Sequence, residues 1–199
     1  MSEKLIKKMK KRINGKGRQC PKQRVTTVNN SFVQGVLPFK TSDDKSISNY
    51  INSFKKNKKK NLLCIYCNTR EATTIDHLNP IVKSGLPAGS YDEINNFVPA
   101  CSSCNSSKSG AEWKDWLEKQ REKCNSKRVV DNPTIAIKRV EAFVKKHKAN
   151  IVDFKHLVKK AGVEKEYNEY INIQKKVKKL LNDASKKAIM IQTAVNKKV

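Results

Sequence analysis

No stretch of this 199-residue chain offers the roughly 20 consecutive apolar residues that a membrane-spanning helix needs. The first 24 residues also lack the apolar centre of a secretory signal. Ten Lys or Arg stand there against one acid, Glu3. These two absences point away from a membrane partner and toward a cytoplasmic, reducing compartment, where cysteines read as metal ligands or buried thiols before disulfides. Apolar residues are also in short supply, at 37%, so the expected core is small. Acids are scarcer still: 18 Asp and Glu face 43 Lys and Arg, a net charge of +25. Such self-repulsion adds nothing to packing, and a nucleic acid is the usual partner that relieves it. Histidine is rare, with three in the chain.

Three parts are expected along the chain. Residues 1–61 read as a basic N-terminal arm followed by an amphipathic helix. Within them, 25–39 reads weakly as a strand or hairpin from its Val, Thr and Phe. Ser42 is placed as a helix cap, with Ile47, Tyr50, Ile51 and Phe54 at helical spacing on one apolar face. The run Lys55, Lys56, Lys58, Lys59 and Lys60 then reads as a solvated face, with phosphate contact as the second reading. Residues 62–124 carry the motifs. A short strand is expected at Thr73 to His77, a second strand or a turn at Phe97 to Ala100, and a helix from near Cys104 to about Cys124. Trp113, Trp116, Leu117, Gln120 and Cys124 would share its buried face. Residues 125–199 read as helical throughout, opened by the Asn132 cap and Pro133. Ala136, Val140, Phe143 and Val144 make one apolar stripe, and Ile151, Phe154, Leu157, Val158 and Ala161 another, stopped by Gly162. The last helix carries Tyr170, Ile173, Val177, Leu180, Ala184, Lys187, Ile191 and Ala194 at alternating steps of three and four. Packing on the chain's own helices is the first reading of that seam, and a homodimer the alternative.

The chemistry-bearing residues lie in the middle part. Cys64 and Cys67 form one C-x2-C pair, and Cys101 and Cys104 a second, with 33 residues between the two pairs. Each short spacing lets two thiolates face one ion, and four satisfy tetrahedral zinc. Such an ion is saturated and structural, and supplies folding energy where apolar residues are few. Asp76-His77 closes the first predicted strand, Asn96 precedes Cys101 by five residues, Asn105 follows Cys104 directly, and Lys108 lies one turn on. Arg70 reads as a solvated knuckle residue, the two tryptophans as core, His147 and His156 as surface, and Cys124 as buried. Cys20 has no assigned role.

From Leu63 to Lys108 the order C-x2-C, DH, N, C-x2-C, N, K resembles the HNH nuclease family. The resemblance implies an α+β chain: a small ββα-metal core stapled by a four-cysteine zinc site, with a mainly helical C-terminal region. It also implies roles for the residues. His77 is the general base that activates water. Asp76 and Asn105 hold one divalent ion, Mg²⁺ or Mn²⁺. Asn96 belongs with the catalytic set, tying the loop and orienting His77, and Lys108 meets a phosphate. The 18-residue loop 78–95 varies in the family, which leaves the substrate-facing loop open. The expected activity is hydrolysis of double-stranded DNA, with a type II restriction endonuclease preferred. The alternatives are a homing or phage-type nicking enzyme, disfavoured because no repeated DNA-binding modules follow the core, and a non-catalytic zinc nucleic-acid-binding protein, which would have no use for Asp76, His77 and Asn105.

Overall fold

A computed structural model describes Ile6, residues 20–54 and residues 61–197. Most of the basic arm and the lysine run 55–60 lie outside the described residues. Contacts gather the chain into two units, residues 33–162 and residues 1–32 together with 163–199. Their bounds do not coincide with the three spans expected from sequence.

The larger unit holds the motifs. Strand β1 (Thr74–His77) pairs antiparallel with β4 (Phe97–Ala100), so that Asp76 lies opposite Val98 and His77 opposite Phe97. The connection between them carries a two-rung hairpin, β2 (Val82–Lys83) with β3 (Leu86–Pro87). Its turn uses positive φ at Ser84 and Gly85. After β4 the chain enters α3 (Ser102–Lys108) and then α4 (Trp113–Glu122), α5 (Pro133–Lys146) and α6 (Phe154–Lys160). Ahead of the strands lie α1 (Val25–Gln34), which runs across the boundary between the units, and α2 (Asp44–Ser53). The result is an α+β arrangement in which one small hairpin is surrounded by helices. Its core joins Tyr66, Leu78, Val98 and Ala100 to Trp113, Trp116 and Leu117 of α4 and Ala136 and Val140 of α5. Trp116 stands edge-on to Tyr66 at 5.1 Å and donates its indole N–H to Ser107. Both tryptophans are therefore core residues, as their spacing predicts.

The chain between Cys104 and Cys124 is not one helix. Ser109 takes a positive φ of 52° and Gly110 follows, which ends α3 and lets α4 start afresh at Trp113. The Ser-Gly pair supplies both the left-handed turn and the break. Cys124 falls beyond the end of α4 and is exposed, not buried. Residues 25–34 form a helix where a strand was expected. Val25, Val28, Asn29, Phe32 and Val33 are the covered positions, a spacing of three and four. Packing of that face overrides the strand preference of the β-branched residues. Asp43, not Ser42, caps α2, accepting from the Ser46 backbone N–H at 2.8 Å. Ile47 and Ile51 remain over a third exposed. They line an apolar cavity of about 720 Å³ with Tyr50, Phe54 and the outer face of the hairpin, including Ile75 and Phe97. His147 is half-buried and stacks on Phe143 at 4.7 Å, so it is not a free surface residue. The Asn132 cap is present, accepting from Ile135.

The smaller unit is built on α7 (Glu164–Asn196), a helix of 33 residues. Tyr170 packs on Phe32 with ring centroids 4.9 Å apart and donates its hydroxyl hydrogen to the Phe32 carbonyl. The Lys22 backbone N–H donates to Ser185. The packed stripe of α7 runs through Tyr170, Gln174 and Ser185, with the latter two buried. Of the expected seam, Tyr170 and Val177 are partly covered, while Ile173, Leu180 and Ile191 are exposed. No described helix is long and apolar enough to cross a membrane.

Candidate active site and metal centre

Two tight turns bring the cysteines together. In the first, the Asn68 N–H closes back on the Cys64 carbonyl at 2.8 Å, and Asn68 adopts the left-handed region that Asn tolerates. In the second, Cys101 is the N-cap of α3 and Cys104 lies in its first turn. The four sulfur atoms lie within 4.8 Å of one another. A tetrahedral ZnS₄ centre with bonds of about 2.3 Å needs sulfurs roughly 3.8 Å apart, so the cluster is compatible with zinc. The thiols interact strongly. The contact with Cys104 pulls the Cys64 thiol far down, and the same contact pushes Cys104 up. A dication resolves that conflict by taking every sulfur as thiolate. Cations brace the centre from outside. Arg70 donates to the Cys104 sulfur at 3.3 Å and to the Val129 carbonyl at 2.6 Å. Arg139 of α5 donates to the carbonyls of Ile65 and Tyr66 at 2.9 and 3.1 Å. Arg70 is thus an exposed knuckle residue, as expected, with its guanidinium anchored to the Cys104 sulfur and the Val129 carbonyl.

The same turns set the ends of the hairpin against α3. Alternation along β1 sends Asp76 inward and His77 toward the partly exposed end of the strand. Asp76 is 6% exposed. It accepts from the Tyr66 hydroxyl at 2.6 Å, and its Oδ2 lies 3.2 Å from the Lys108 ammonium. Lys108 also donates to the His77 carbonyl at 2.8 Å. Only 1% of it is exposed. The expected phosphate contact is therefore not what this side chain offers: it is the strut between α3 and the end of β1. Burial holds its ammonium below the ordinary lysine value, against the pull of Asp76. Burial, seconded by Asp76, keeps the Tyr66 hydroxyl protonated as a donor.

Asn105 faces β1 from the first turns of α3. Its amide N–H₂ donates to the Thr74 hydroxyl at 3.1 Å and toward the Ile75 carbonyl at 3.4 Å. Among the described residues, its carbonyl oxygen has no protein donor and Asp76 Oδ1 accepts only the long 3.5 Å contact from Lys108. One carboxylate oxygen and one amide oxygen thus retain capacity for a hard cation of the magnesium type, which takes few protein ligands and keeps its waters.

Asn96 is fully buried and makes its contacts entirely with backbone. It accepts from the Asn79 N–H at 2.8 Å and donates to the carbonyls of Asn79 and Tyr91 at 3.1 and 3.2 Å. It therefore ties the start of the 78–95 loop to its later part.

Asp92 has no counterpart in the sequence reading. Its Oδ1 lies 2.9 Å from His77 Nε2. The imidazole is also flanked by Phe97, whose ring stands edge-on at 5.1 Å. The sequence places Asp92 beside Glu93, and no spacing rule separates the two acids. The fold does: Glu93 is buried, accepting from the Asn150 backbone and side chain, while Asp92 turns to the histidine.

Residues 64–110 match the family model described as HNH endonuclease. No curated protein matches the chain. No solved structure matches it. The matched segment spans both cysteine pairs, β1, β4 and α3. The chain therefore carries a segment similar to HNH endonucleases, which indicates a nuclease or nucleic-acid-binding function.

Proposed function

We propose that the protein is a metal-dependent endonuclease that hydrolyses DNA phosphodiester bonds. The observation that carries this reading is the meeting, on one cysteine-clamped ββα unit, of a strand-end histidine and a helix-borne Asn105 seated on the same strand. Asp76 and Asn105 would hold the catalytic ion, Mg²⁺ or Mn²⁺. When bound, that ion supplies charge stabilisation to the phosphorane-like transition state and the departing 3′ oxygen. His77 takes a proton from the attacking water at its free ring nitrogen. The water oxygen bonds to phosphorus, the bond to the 3′ oxygen breaks, and that oxygen is protonated from solvent. The products carry 5′-phosphate and 3′-hydroxyl ends. Zinc at Cys64, Cys67, Cys101 and Cys104 holds the unit together and takes no part in the step. Lys108 supports Asp76 from within.

Double-stranded DNA is the proposed substrate, attracted by the net charge of +25. A small restriction endonuclease, cutting both strands as a homodimer, is the preferred biology. The exposed Ile173, Leu180 and Ile191 on α7 favour a further helix contact. Incubation of the zinc-loaded protein with supercoiled plasmid and Mg²⁺ or Mn²⁺, followed by sequencing of the ends, tests this reading. Linear product with 5′-phosphate ends at one repeated sequence is expected. Nicked circles would favour a homing or phage-type nicking enzyme, and intact plasmid with either ion would overturn the assignment in favour of a non-catalytic binder.

A further inference from the structure

We infer that Asp92 is the positioning residue for His77: it fixes the imidazole as the Nε2–H tautomer and so presents Nδ1 as the nitrogen that receives the proton. The inference deepens the nuclease reading and rests on it for its catalytic consequence.

Nε2 lies 2.9 Å from Asp92 Oδ1, a normal length for an N–H donor to a carboxylate. A carboxylate oxygen only accepts, so a neutral imidazole meeting it must carry its hydrogen on Nε2. Among the described residues Nδ1 has no hydrogen-bond partner, and the side chain is 26% exposed, so one nitrogen is engaged and the other remains available. With the Phe97 ring against the imidazole, rotation and tautomer are both constrained.

Asp92 can serve this role because its backbone is fixed independently of its side chain. Its N–H donates to the Pro38 carbonyl and its carbonyl accepts from the Lys40 N–H, both at 3.2 Å, forming a parallel bridge to Phe39. Its neighbours are held from another side. Tyr91 N–H bonds to the Asn150 carbonyl, Ser90 bridges Ile151, and the buried Glu93 carboxylate accepts twice from Asn150. Asn96 closes the loop beneath through the Tyr91 carbonyl. A loop pinned at Ser90, Tyr91, Asp92 and Glu93 holds one carboxylate against the histidine. Orienting partners of this kind are what give a catalytic imidazole its tautomer and direction.

The test has two arms on the full chain. In the first, long-range ¹H–¹⁵N correlation of the imidazoles is recorded under alkaline conditions, with the His77 signals assigned by their absence in His77→Ala. The expected result is a protonated-type Nε2 and an unprotonated-type Nδ1 for His77. Asp92→Ala should move it toward a mixture of tautomers, and Asp92→Asn, which keeps an acceptor oxygen, should recover part of the bias. An Nδ1–H tautomer in the wild type, or no change in Asp92→Ala, overturns the inference. In the second arm, plasmid cleavage by Asp92→Ala should lose about 10–100-fold in kcat, the usual cost of removing such a partner, with KM held. An unchanged kcat overturns the catalytic role while leaving the nuclease reading intact. If the wild type does not cut, the nuclease reading fails, and the tautomer arm still decides whether Asp92 governs His77.

Discussion

Lys108 and Asp76 each make the other's burial tolerable. A buried carboxylate carries a large desolvation cost unless it is paired and hydrogen-bonded, and Tyr66 and Lys108 together supply those contacts. Replacing Lys108 with Met keeps the stem and removes the charge. The expected loss is about 3–5 kcal/mol, as for other pairs broken on one side, read from urea denaturation of the zinc-loaded protein. The pH dependence has a definite sign. Burial lowers the Lys108 value in the folded protein below its ordinary 10.5, so in the alkaline range the unfolded chain binds the proton that the folded chain has lost. The contribution of Lys108 is then greatest above 10.5 and falls away as pH drops through the folded value. The stability gap between wild type and Lys108→Met should widen as pH rises, and a gap that narrows would show that the pull of Asp76 outweighs burial.

At the scale of elements, the cysteine knuckles and the first strand were legible because their signals are local. A C-x2-C spacing, a DH pair at a strand end and an Asn five residues before a cysteine each constrain a few neighbouring residues. The same holds for the Asn132-Pro133 start of α5, which follows from capping chemistry alone. What was not legible depends on partners distant in sequence. Asp92 and Glu93 look alike until residues 38–40 and 150 arrive to sort them. Lys108 looks like one lysine among many until the helix turns it inward. The helix at Val25–Gln34 follows from the face it packs, which its β-branched composition conceals. The 78–95 loop was open in sequence and is closely held in the fold, and Gly89 shows why. At φ +96° a Cβ there would lie 2.4 Å from the Val152 carbonyl oxygen, which also accepts no relief, because Val152 N–H is bonded back to the Gly89 carbonyl. Gly89→Ala should therefore destabilise the larger unit by about 1–3 kcal/mol, seen as a lower melting temperature, and should reduce cleavage by loosening the segment that carries Asp92. A melting temperature equal to wild type would show that the 150–152 contact does not hold the loop.

For the whole molecule, charge and chemistry separate into two capacities. The excess of lysine and arginine is spread along the chain and would supply the proposed attraction to a polyanion, which falls as salt rises. The proposed hydrolysis would depend instead on a handful of side chains whose removal leaves every lysine and arginine in place. His77 is where the two can be told apart, because it is one residue at a partly exposed strand end and lies outside the buried core. The most direct measurement pairs wild type with His77→Ala on one DNA substrate in Mg²⁺, recording cleavage and binding side by side. The expected result is cutting by the wild type and no cutting by the variant, with equal affinity and an unchanged melting temperature. Equal cutting by the two proteins would contradict the assignment of His77 as the base.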